Sequence, residues 1–383
     1  MYLEMKQFFI FLVALLAFSF PVYAITPDEV NAKYAYVVDF KTGAVLLAKD
    51  ENTRMPTASM SKVMTMYMVF DALKAGRLKL DDTLPVSKKA WGMQGSKMFV
   101  HVGDQVRVED LIRGVIIQSG NDATIVLAEG LAGSEDAFVA AMNQKAQALG
   151  MKDSHFKNVS GWPDPDHYST AYDLTILAKA LIYDFPEYYK YYSEQEYTYH
   201  NIKQGNRNPI LYRNVGGDGI KTGHTEEAGY GLIGSGLRDG RRVVFVLAGM
   251  KSMQERADES SRVLSWSLGS FMNLTPFAGG RPAGQAKVSF GQNLTVPMVV
   301  GQDMNVTLPR LAVQKIKMTM SYQEPVIAPI KKGTRLGTLS VQLSPEAQPI
   351  ELPLVAGEDV ASLGFIARAF NEAWYAATGQ GVE

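Results

Sequence analysis

The chain is organised around Pro56-Thr57-Ala58-Ser59-Met60-Ser61-Lys62, which leads into the apolar run Val63-Met64-Thr65-Met66-Tyr67-Met68-Val69-Phe70. Apolar residues cover nearly every face of a helix over this run, which is typical of a buried helix rather than a surface one. Ser59 and Lys62 are three residues apart, so on a helix both side chains lie on one face. Burial disfavours a charged ammonium, so Lys62 can lose its proton and activate the Ser59 hydroxyl. The stretch therefore predicts a nucleophilic serine at the buried start of a helix.

This Ser-x-x-Lys pattern needs partners before it can be assigned to chemistry. Average residue usage gives such a pair on the order of once by accident in a chain of this length. It recurs at Ser154 and Lys157. That copy lies between a helix predicted to end near Gly150 and the turn-rich residues 160–163, so we interpret it as a coincidence in a loop.

Composition excludes several classes of function. A chain of 383 residues predicts two domains. The formal net charge of −1 gives no reason to expect nucleic acid as a partner. The absence of cysteine excludes disulfides and thiolate metal sites. The five histidines show no pairing at metal-ligand spacing, so neither a metal nor another cofactor is predicted.

The first 24 residues resemble a secretory signal, with Lys6 at the positive start and an apolar run from Phe8 to Phe20. Pro21-Val22-Tyr23-Ala24 is a suitable cleavage site before Ile25, and either Met1 or Met5 is the true start. The alternative is an uncleaved membrane anchor, although the run is short for a membrane span. A secreted chain without cysteine suits a bacterial periplasm or cell surface.

Helices around an antiparallel sheet are predicted for residues 25–272, which gives an α/β (α+β) catalytic domain. Strands are expected at 34–39 and 44–48 around a turn at Lys41-Thr42-Gly43, and again at 229–236 and 242–249. Besides the run after Lys62, helices are predicted at 108–117, 122–131, 138–149 and 258–271, and another that opens at 167–173 and runs through 182. Residues 91–102 are interpreted as a loop with some strand.

Composition changes after this domain. A Pro/Gly-rich linker is predicted for 274–284, within a small all-β domain at 273–357. Its short runs alternate: Ile316, Met318, Met320 and Tyr322 are expected to face one way. Residues 358–378 then place apolar side chains on one face of an amphipathic helix. The predicted partner of this helix is the inner-membrane surface, and the alternative is packing on the β domain or on another protein.

Three elements occur in order: Ser59-x-x-Lys62, Ser119-Gly120-Asn121 and Lys221-Thr222-Gly223. Ser-x-x-Lys, Ser-Asp-Asn and Lys-Thr-Gly together mark penicillin-binding proteins and class A β-lactamases. Here Gly120 replaces the aspartate. The Lys41-Thr42-Gly43 copy precedes Ser59 and lies in a predicted hairpin, so it is rejected as the third motif.

The chain resembles the low-molecular-mass D-alanyl-D-alanine carboxypeptidases of the penicillin-binding protein 5 type, a branch of the serine β-lactamase/DD-peptidase fold. The likeness extends over essentially the whole mature chain, through 94–98, 119–123, 146–151, 206–208, 218–225 and 256–260. It implies a periplasmic enzyme of cell-wall synthesis, remodelling and cell shape. It also implies peptidoglycan stem peptides as substrates and β-lactams as covalent inhibitors.

The resemblance implies a role for each matching residue. Ser59 would attack the penultimate D-alanine carbonyl, Lys62 would accept its proton while Lys221 keeps Lys62 neutral, and Ser119 would relay a proton to the leaving amine. Asn121 would hold Lys62 and the substrate amide. The oxyanion hole would be formed by the backbone N–H groups of Ser59 and His224, which follows Gly223. Thr222 with Arg207 or Arg256 would bind the substrate carboxylate.

Each role has a structural alternative. Ser119 could cap the next helix, and Arg256 could form an ion pair with a nearby carboxylate. His167 could be structural, and we interpret Asp173 as an anchor of a helix or loop. The alternative functions are a β-lactamase, a DD-endopeptidase, or a catalytically idle peptidoglycan-binding scaffold. None of the glutamates between the second and third motifs has a Glu-x-x-Leu-Asn context, which argues against a β-lactamase.

Overall fold

The computed structural model describes residues 25–310, 317–343, 348–364 and 369. The predicted signal segment, residues 1–24, lies outside this part of the chain.

A five-stranded antiparallel sheet forms the centre of the first domain, in the order β2-β1-β9-β8-β7. The strands are β1 (Tyr34–Asp39), β2 (Val45–Lys49), β7 (Gly217–Thr225), β8 (Gly229–Arg238) and β9 (Arg241–Met250). There are two further two-stranded sheets: β3 (Thr83–Pro85) pairs with β4 (Gln105–Arg107), and β5 (Glu196–Tyr199) pairs with β6 (Ile202–Gly205) as a hairpin. The strands predicted from 34–48 and 229–249 are confirmed.

Helices cover both faces of this sheet. They are α1 (Lys62–Lys74), α2 (Lys88–Gly92), α3 (Val108–Ile116), α4 (Asn121–Ala132), α5 (Glu135–Leu149), α6 (Ala171–Asp184), α7 (Pro186–Tyr189) and α8 (Met253–Gly269). The closing helix α8 begins five residues before the predicted start at 258. No strand forms at 91–102, where one was partly expected.

The continuous apolar run of β9 is explained by its position, because both faces of this strand are buried. Val244 and Val246 belong to the large core formed with α1 and α3 to α6, whereas Val243 and Phe245 pack with Val263 of α8. The buried helix α1 lies within the large core, and ten of its thirteen residues are buried. That burial places Lys62, its first residue, in a low-dielectric environment.

A separate all-β domain follows α8. Its strands are β10 (Phe271–Phe277), β11 (Pro282–Ser289), β12 (Thr295–Val300), β13 (Met304–Pro309), β14 (Lys317–Tyr322), β15 (Val326–Ile327), β16 (Arg335–Gln342) and β17 (Ile350–Ala356). β10 pairs with β13, and the other six strands form one sheet in the order β14-β16-β17-β12-β11-β15. The linker predicted at 274–284 is therefore wrong, because most of it is strand. The expected apolar face of β14 is not covered either: Met318 and Met320 are 56% and 45% exposed.

A polar cluster joins the two domains. Asp39, at the end of β1, is fully buried and pairs with Arg241 at 2.9 Å. Asn273 of β10 donates to Asp39 and accepts from the Thr307 hydroxyl. Thr42, in the turn that repeats Lys-Thr-Gly, lies 2.6 Å from the same Thr307 hydroxyl. The repeated motif thus contacts the second domain.

The C-terminal prediction needs a correction at its start. Residues 358–364 are extended rather than helical, since Val360 and Ser362 form β-bridges to Ile330 and Gly291. Apart from Ala369, the rest of the predicted 358–378 helix lies outside the described residues. Among the helices that the structure describes, none combines the length and apolar character needed to cross a bilayer.

Candidate active site

Ser59 lies in a single 3₁₀ turn, Ala58–Ser61, directly before α1. Gly161 packs against this turn with a φ of +78°, and a Cβ added there would come within 1.8 Å of the Ala58 carbonyl oxygen. Gly223 of β7 packs on the other side, where an added Cβ would lie 2.8 Å from the Thr57 carbonyl oxygen. Two glycines therefore allow backbone on both sides to approach the nucleophile turn closely.

Lys62 is completely buried beneath the serine hydroxyl. Its Nζ lies 2.8 Å from Ser59 Oγ, 2.8 Å from Asn121 Oδ1 and 2.6 Å from the Ser160 carbonyl oxygen. Burial lowers the pKa of Lys62 from 10.5 to about 7, and the positive charge of Arg207 also acts to lower it. A substantial fraction of the side chain is therefore a neutral amine near neutral pH, able to accept a proton from Ser59.

The second motif lies in the connection between α3 and α4. Ser119 has a φ of +59°, and its buried Oγ has no hydrogen-bond partner among the described residues. The alternative that Ser119 caps α4 is not supported, because the capping position is Gly120, without a side-chain cap. A Cβ on Gly120 would meet Asp122 Oδ1 at 2.8 Å and the Met98 backbone nitrogen at 3.0 Å. Gly120, which stands where the Ser-Asp-Asn form of the motif has aspartate, thus occupies a site too crowded for a side chain.

Asn121 connects Lys62 to a neighbouring loop. Its amide donates to the Gln94 carbonyl at 2.7 Å, while its backbone nitrogen donates to the Ser96 carbonyl at 2.8 Å. Asp122, for which no role was predicted, accepts from the backbone nitrogens of Met98 and Phe99, each at 2.8 Å. These bonds hold residues 94–99 beside the nucleophile. An acidic residue in the first turn of a helix was the available sequence signal.

The third motif lies on β7, at the edge of the sheet. Lys221 is buried, and its Nζ donates to the Thr222 carbonyl at 3.0 Å. Its pKa is well below the ordinary lysine value because of burial and the nearby charges of Lys62, Arg207 and Arg256. The positive charge of Lys62 thus disfavours a charged Lys221, whereas the prediction was the reverse effect, of Lys221 on Lys62. The lowered pKa of Lys62 is caused first by burial and then by the charge of Arg207. His224, next along the strand, is exposed and stacks on Tyr230.

Two arginines complete a cationic cavity. A cavity of about 320 Å³ is lined by Ser59, Ser96, Ser119, Arg207, Thr222, Gly223, His224, Tyr230, Met253 and Arg256. Arg207 donates to Ser96 Oγ at 2.6 Å. Arg256 is buried, its Nε has no hydrogen-bond partner among the described residues, and burial lowers its pKa to about 10. It makes no ion pair with any carboxylate that the structure describes, so the ion pair considered for Arg256 is wrong.

All ten residues predicted for the site lie together in the structure. Seven line the cavity of about 320 Å³, and Asn121 lines an adjoining one of about 200 Å³ that also contains Ser59. The two lysines lie beneath Ser59 and on β7. The second Ser-x-x-Lys copy behaves differently: Ser154 donates to Asp173, and Lys157 is exposed. Asp173 thus anchors a loop, as the sequence analysis inferred.

Behind the nucleophile turn lies a buried chain of neutral groups. Thr57 and Ser61 are hydrogen-bonded through their hydroxyls, and Ser61 Oγ lies 2.7 Å from His167 Nε2. Burial lowers the pKa of His167 to about 4, so the imidazole is neutral at physiological pH. His167 is therefore structural, and the titratable side chain hydrogen-bonded to Ser59 is Lys62.

Comparison with known proteins identifies the family. A model described as D-alanyl-D-alanine carboxypeptidase matches residues 22–252, more than half of the chain. The chain belongs to the D-alanyl-D-alanine carboxypeptidase family. A second model, described as the C-terminal domain of penicillin-binding protein 5, matches residues 271–362 of this carboxypeptidase.

Individual relatives agree with this assignment. The carboxypeptidase is 38% identical to D-alanyl-D-alanine carboxypeptidase DacC of Escherichia coli, over 95% of this chain and 92% of that protein. It is 36% identical to DacA of Haemophilus influenzae, over 86% and 87% of the two chains. Penicillin-binding protein 5 of H. influenzae has a similar structure, with a TM-score of 0.78, 34% identity, and coverage of 88% of this chain and all of that one. The predicted fold class and serine carboxypeptidase activity are confirmed.

Proposed function

We propose that Ser59 is the nucleophile with which this carboxypeptidase removes the terminal D-alanine from peptidoglycan stem peptides. The observation that carries the proposal is the Lys62 amine, which is fully buried, lies 2.8 Å from Ser59 Oγ and has a pKa of about 7. A base whose pKa is close to the working pH is well suited to proton transfer. The exposed Lys157 of the second motif copy offers no such environment.

During acylation, each proton that moves has a donor and an acceptor in the site. Ser59 Oγ bonds to the carbonyl carbon of the penultimate D-alanine, and its proton passes to the neutral Lys62 amine. The peptide C–N bond breaks, and the leaving nitrogen receives a proton relayed through the otherwise unpartnered Ser119 hydroxyl. Free D-alanine departs. Water then attacks the ester carbonyl carbon, the bond between that carbon and Ser59 Oγ breaks, and one proton of the water returns to Ser59 Oγ as the shortened peptide leaves. Asn121 keeps Lys62 and the substrate amide in place throughout.

The substrate carboxylate is bound by the cationic end of the cavity. Arg256 is the stronger candidate, because its buried guanidinium lacks a carboxylate partner among the described residues and would gain one from the substrate. Arg207, hydrogen-bonded to Ser96, and the Thr222 hydroxyl contribute from the rim and from β7. The backbone N–H groups of Ser59 and His224 stabilise the oxyanion of the tetrahedral intermediate.

The cavity composition favours stable acylation by β-lactams over their hydrolysis. No carboxylate lines either of the two described cavities that contain Ser59. A class A β-lactamase depends on a glutamate to activate the deacylating water. Without such a base the penicilloyl ester is long-lived, so the enzyme is inhibited by penicillins.

The direct test is release of D-alanine from a pentapeptide ending in D-Ala-D-Ala, measured in parallel with labelling by a fluorescent penicillin. We expect Ser59→Ala and Lys62→Ala to lose both signals. Lys157→Ala, the matched control in the second motif copy, should retain both. Undiminished release by Ser59→Ala would refute the nucleophile. Penicillin labelling of wild type without D-alanine release would point to endopeptidase or scaffold work instead.

A periplasmic location at the inner membrane completes the proposal. The signal-like residues 1–24 and the amphipathic pattern after 358 support secretion followed by attachment through the C-terminal helix. A chain ending at Gly364 retains the bridges of Val360 and Ser362, so the β domain should stay intact. That chain should be released from membranes by mild salt washing, whereas the full chain should stay bound. Equal membrane binding by both would refute the anchor.

A further inference from the structure

Two histidines and one aspartate meet on the surface, outside the catalytic cavity. His101 and Asp104 belong to the loop that precedes β4, and His200 lies at the tip of the β5–β6 hairpin. One oxygen of Asp104, Oδ2, lies 3.6 Å from His101 Nδ1 and 3.9 Å from His200 Nε2. The three ligand-type atoms all lie within 4.8 Å of one another.

The distances fit a small transition-metal ion. A tetrahedral Zn²⁺ with bonds of about 2.0–2.1 Å places neighbouring ligand atoms about 3.3 Å apart. The observed separations exceed this by a few tenths of an ångström for two pairs, a difference that rotation of exposed side chains removes. The imidazole rings of His101 and His200 are nearly parallel, with centroids 5.0 Å apart. The two rings are therefore stacked beside the carboxylate.

The surrounding backbone holds the three groups in position. The His101 backbone nitrogen donates to Asp104 Oδ2, and the Asp104 nitrogen donates back to the His101 carbonyl. The loop is attached to the end of β3, because the Val86 nitrogen donates to the Asp104 carbonyl. On the hairpin, Tyr199 stacks on the His200 ring with centroids 4.1 Å apart. The donors thus come from two independently supported segments.

We infer that His101, Asp104 and His200 form a binding site for Zn²⁺ or a similar divalent transition metal. Two imidazole nitrogens and one carboxylate oxygen are a donor set that zinc uses in proteins, and imidazole is a poor ligand for Mg²⁺ or Ca²⁺. The groups are partly exposed, so water completes the coordination. No metal was predicted from the sequence, because the five histidines show no metal-ligand spacing along the chain. His101 and His200 come together only in the folded protein.

The metal would connect two segments that both lead into the catalytic cavity. The loop continues back from His101 to Ser96, and the hairpin continues from His200 to Arg207; Ser96 and Arg207 are hydrogen-bonded to each other. Gln204 of β6 already donates to the Lys97 carbonyl at 3.1 Å. Zinc would add a third link between the two segments, farther from the cavity. It takes no part in the acylation of Ser59, so the inference stands apart from the proposed reaction.

Zinc binding to the full, untagged chain tests the inference by isothermal titration at neutral pH. We expect one Zn²⁺ per chain and no detectable heat with Mg²⁺. Loss even of groups that support metal ligands costs about 10- to 100-fold in affinity, so His101→Ala and His200→Ala should each weaken binding by at least about tenfold. Asp104→Asn, which keeps the side-chain shape, should also weaken it. His155→Ala is the matched control, since His155 is a partly exposed histidine outside the cluster.

A second measurement separates binding at this site from misfolding. Zinc should raise the Tm of wild type and His155→Ala but not that of His101→Ala, while penicillin labelling of all the variants stays as in wild type. Three results would overturn the inference: no zinc binding by wild type, unchanged affinity in both cluster variants, or an equal loss in His155→Ala. If penicillin labelling is retained in these experiments, the proposed catalytic function still holds, and only the inference about zinc fails.

Discussion

Lys62 is the titratable side chain that is hydrogen-bonded to Ser59. The rate of acylation should therefore follow the protonation state of Lys62 as the pH changes. Its ammonium has a pKa of about 7 in the fold against 10.5 as a free side chain. The difference corresponds to roughly 5 kcal/mol of destabilisation of the charged form. Since the neutral amine is the base, activity should rise with pH. With this pKa the neutral fraction increases from about 9% at about pH 6 to about 91% at about pH 8, a tenfold gain.

Stopped-flow labelling by a fluorescent penicillin measures this step directly, because the carboxylate of the reagent stays ionised over the range. The second-order rate constant should rise about tenfold between these pH values and then level off. Lys157→Ala should give the same curve. Arg207→Gln removes a cation that lowers the pKa of Lys62, so its rising limb should move to higher pH whatever happens to the plateau. A flat profile in wild type would refute Lys62 as the base.

The other predictions concern stability, recognition and packing. The pKa of Lys62 is lower in the folded chain than in the unfolded chain, so the folded chain binds fewer protons between about pH 7 and 10.5. Lys62 should therefore make the Tm of the wild type rise with pH in that window, and the rise should be smaller in Lys62→Met. Arg256→Ala should lower kcat/KM for the pentapeptide on the order of tenfold to a hundredfold, whereas Arg213→Ala, which removes a surface ion pair, should not. Gly161→Ala should abolish penicillin labelling by displacing the Ser59 turn. Gly133→Ala, at a positive φ with open space around it, should cost only about 1 kcal/mol of stability and leave labelling intact. Equal labelling by the two glycine variants would contradict the packing argument.

Much of the catalytic domain could be predicted from local patterns. The apolar run after Lys62 and the run of β9 are both buried, and a continuous apolar stretch is typical of an element enclosed on all its faces. Of the three motifs, the first was predicted at the buried start of a helix, and Ser59 lies in the 3₁₀ turn directly before α1. The proximity of the three motifs followed from the family resemblance, since the spacing of Ser59, Ser119 and Lys221 along the chain does not by itself bring them together.

The remaining features depend on contacts that residue letters do not encode. The Ser160 carbonyl that accepts from Lys62 is a backbone group, so no side-chain pattern points to it. Pro276 suggested a linker, yet proline is tolerated in β10 because that strand belongs to a two-stranded sheet and is not enclosed by others. The alternation of apolar and polar residues in β14 predicted a strand, but it did not predict whether the apolar face of that strand is covered. The cluster of His101 and His200 forms because a loop and a hairpin that are distant in the sequence lie side by side in the fold.

The residues around the catalytic cavity also determine how the enzyme collects its substrate. The lining of the two cavities that contain Ser59 includes Arg207 and Arg256 but, within the described residues, no acidic side chain. Such a cleft concentrates positive potential and attracts anions from a distance, an effect that salt screens with a Debye length of about 8 Å at physiological ionic strength. Salt should therefore slow the diffusional capture of peptides that end in a free carboxylate. The proton transfer from Ser59 to Lys62 occurs within buried hydrogen bonds and should not respond. Ionic strength and pH thus act on two separate steps, capture and bond formation.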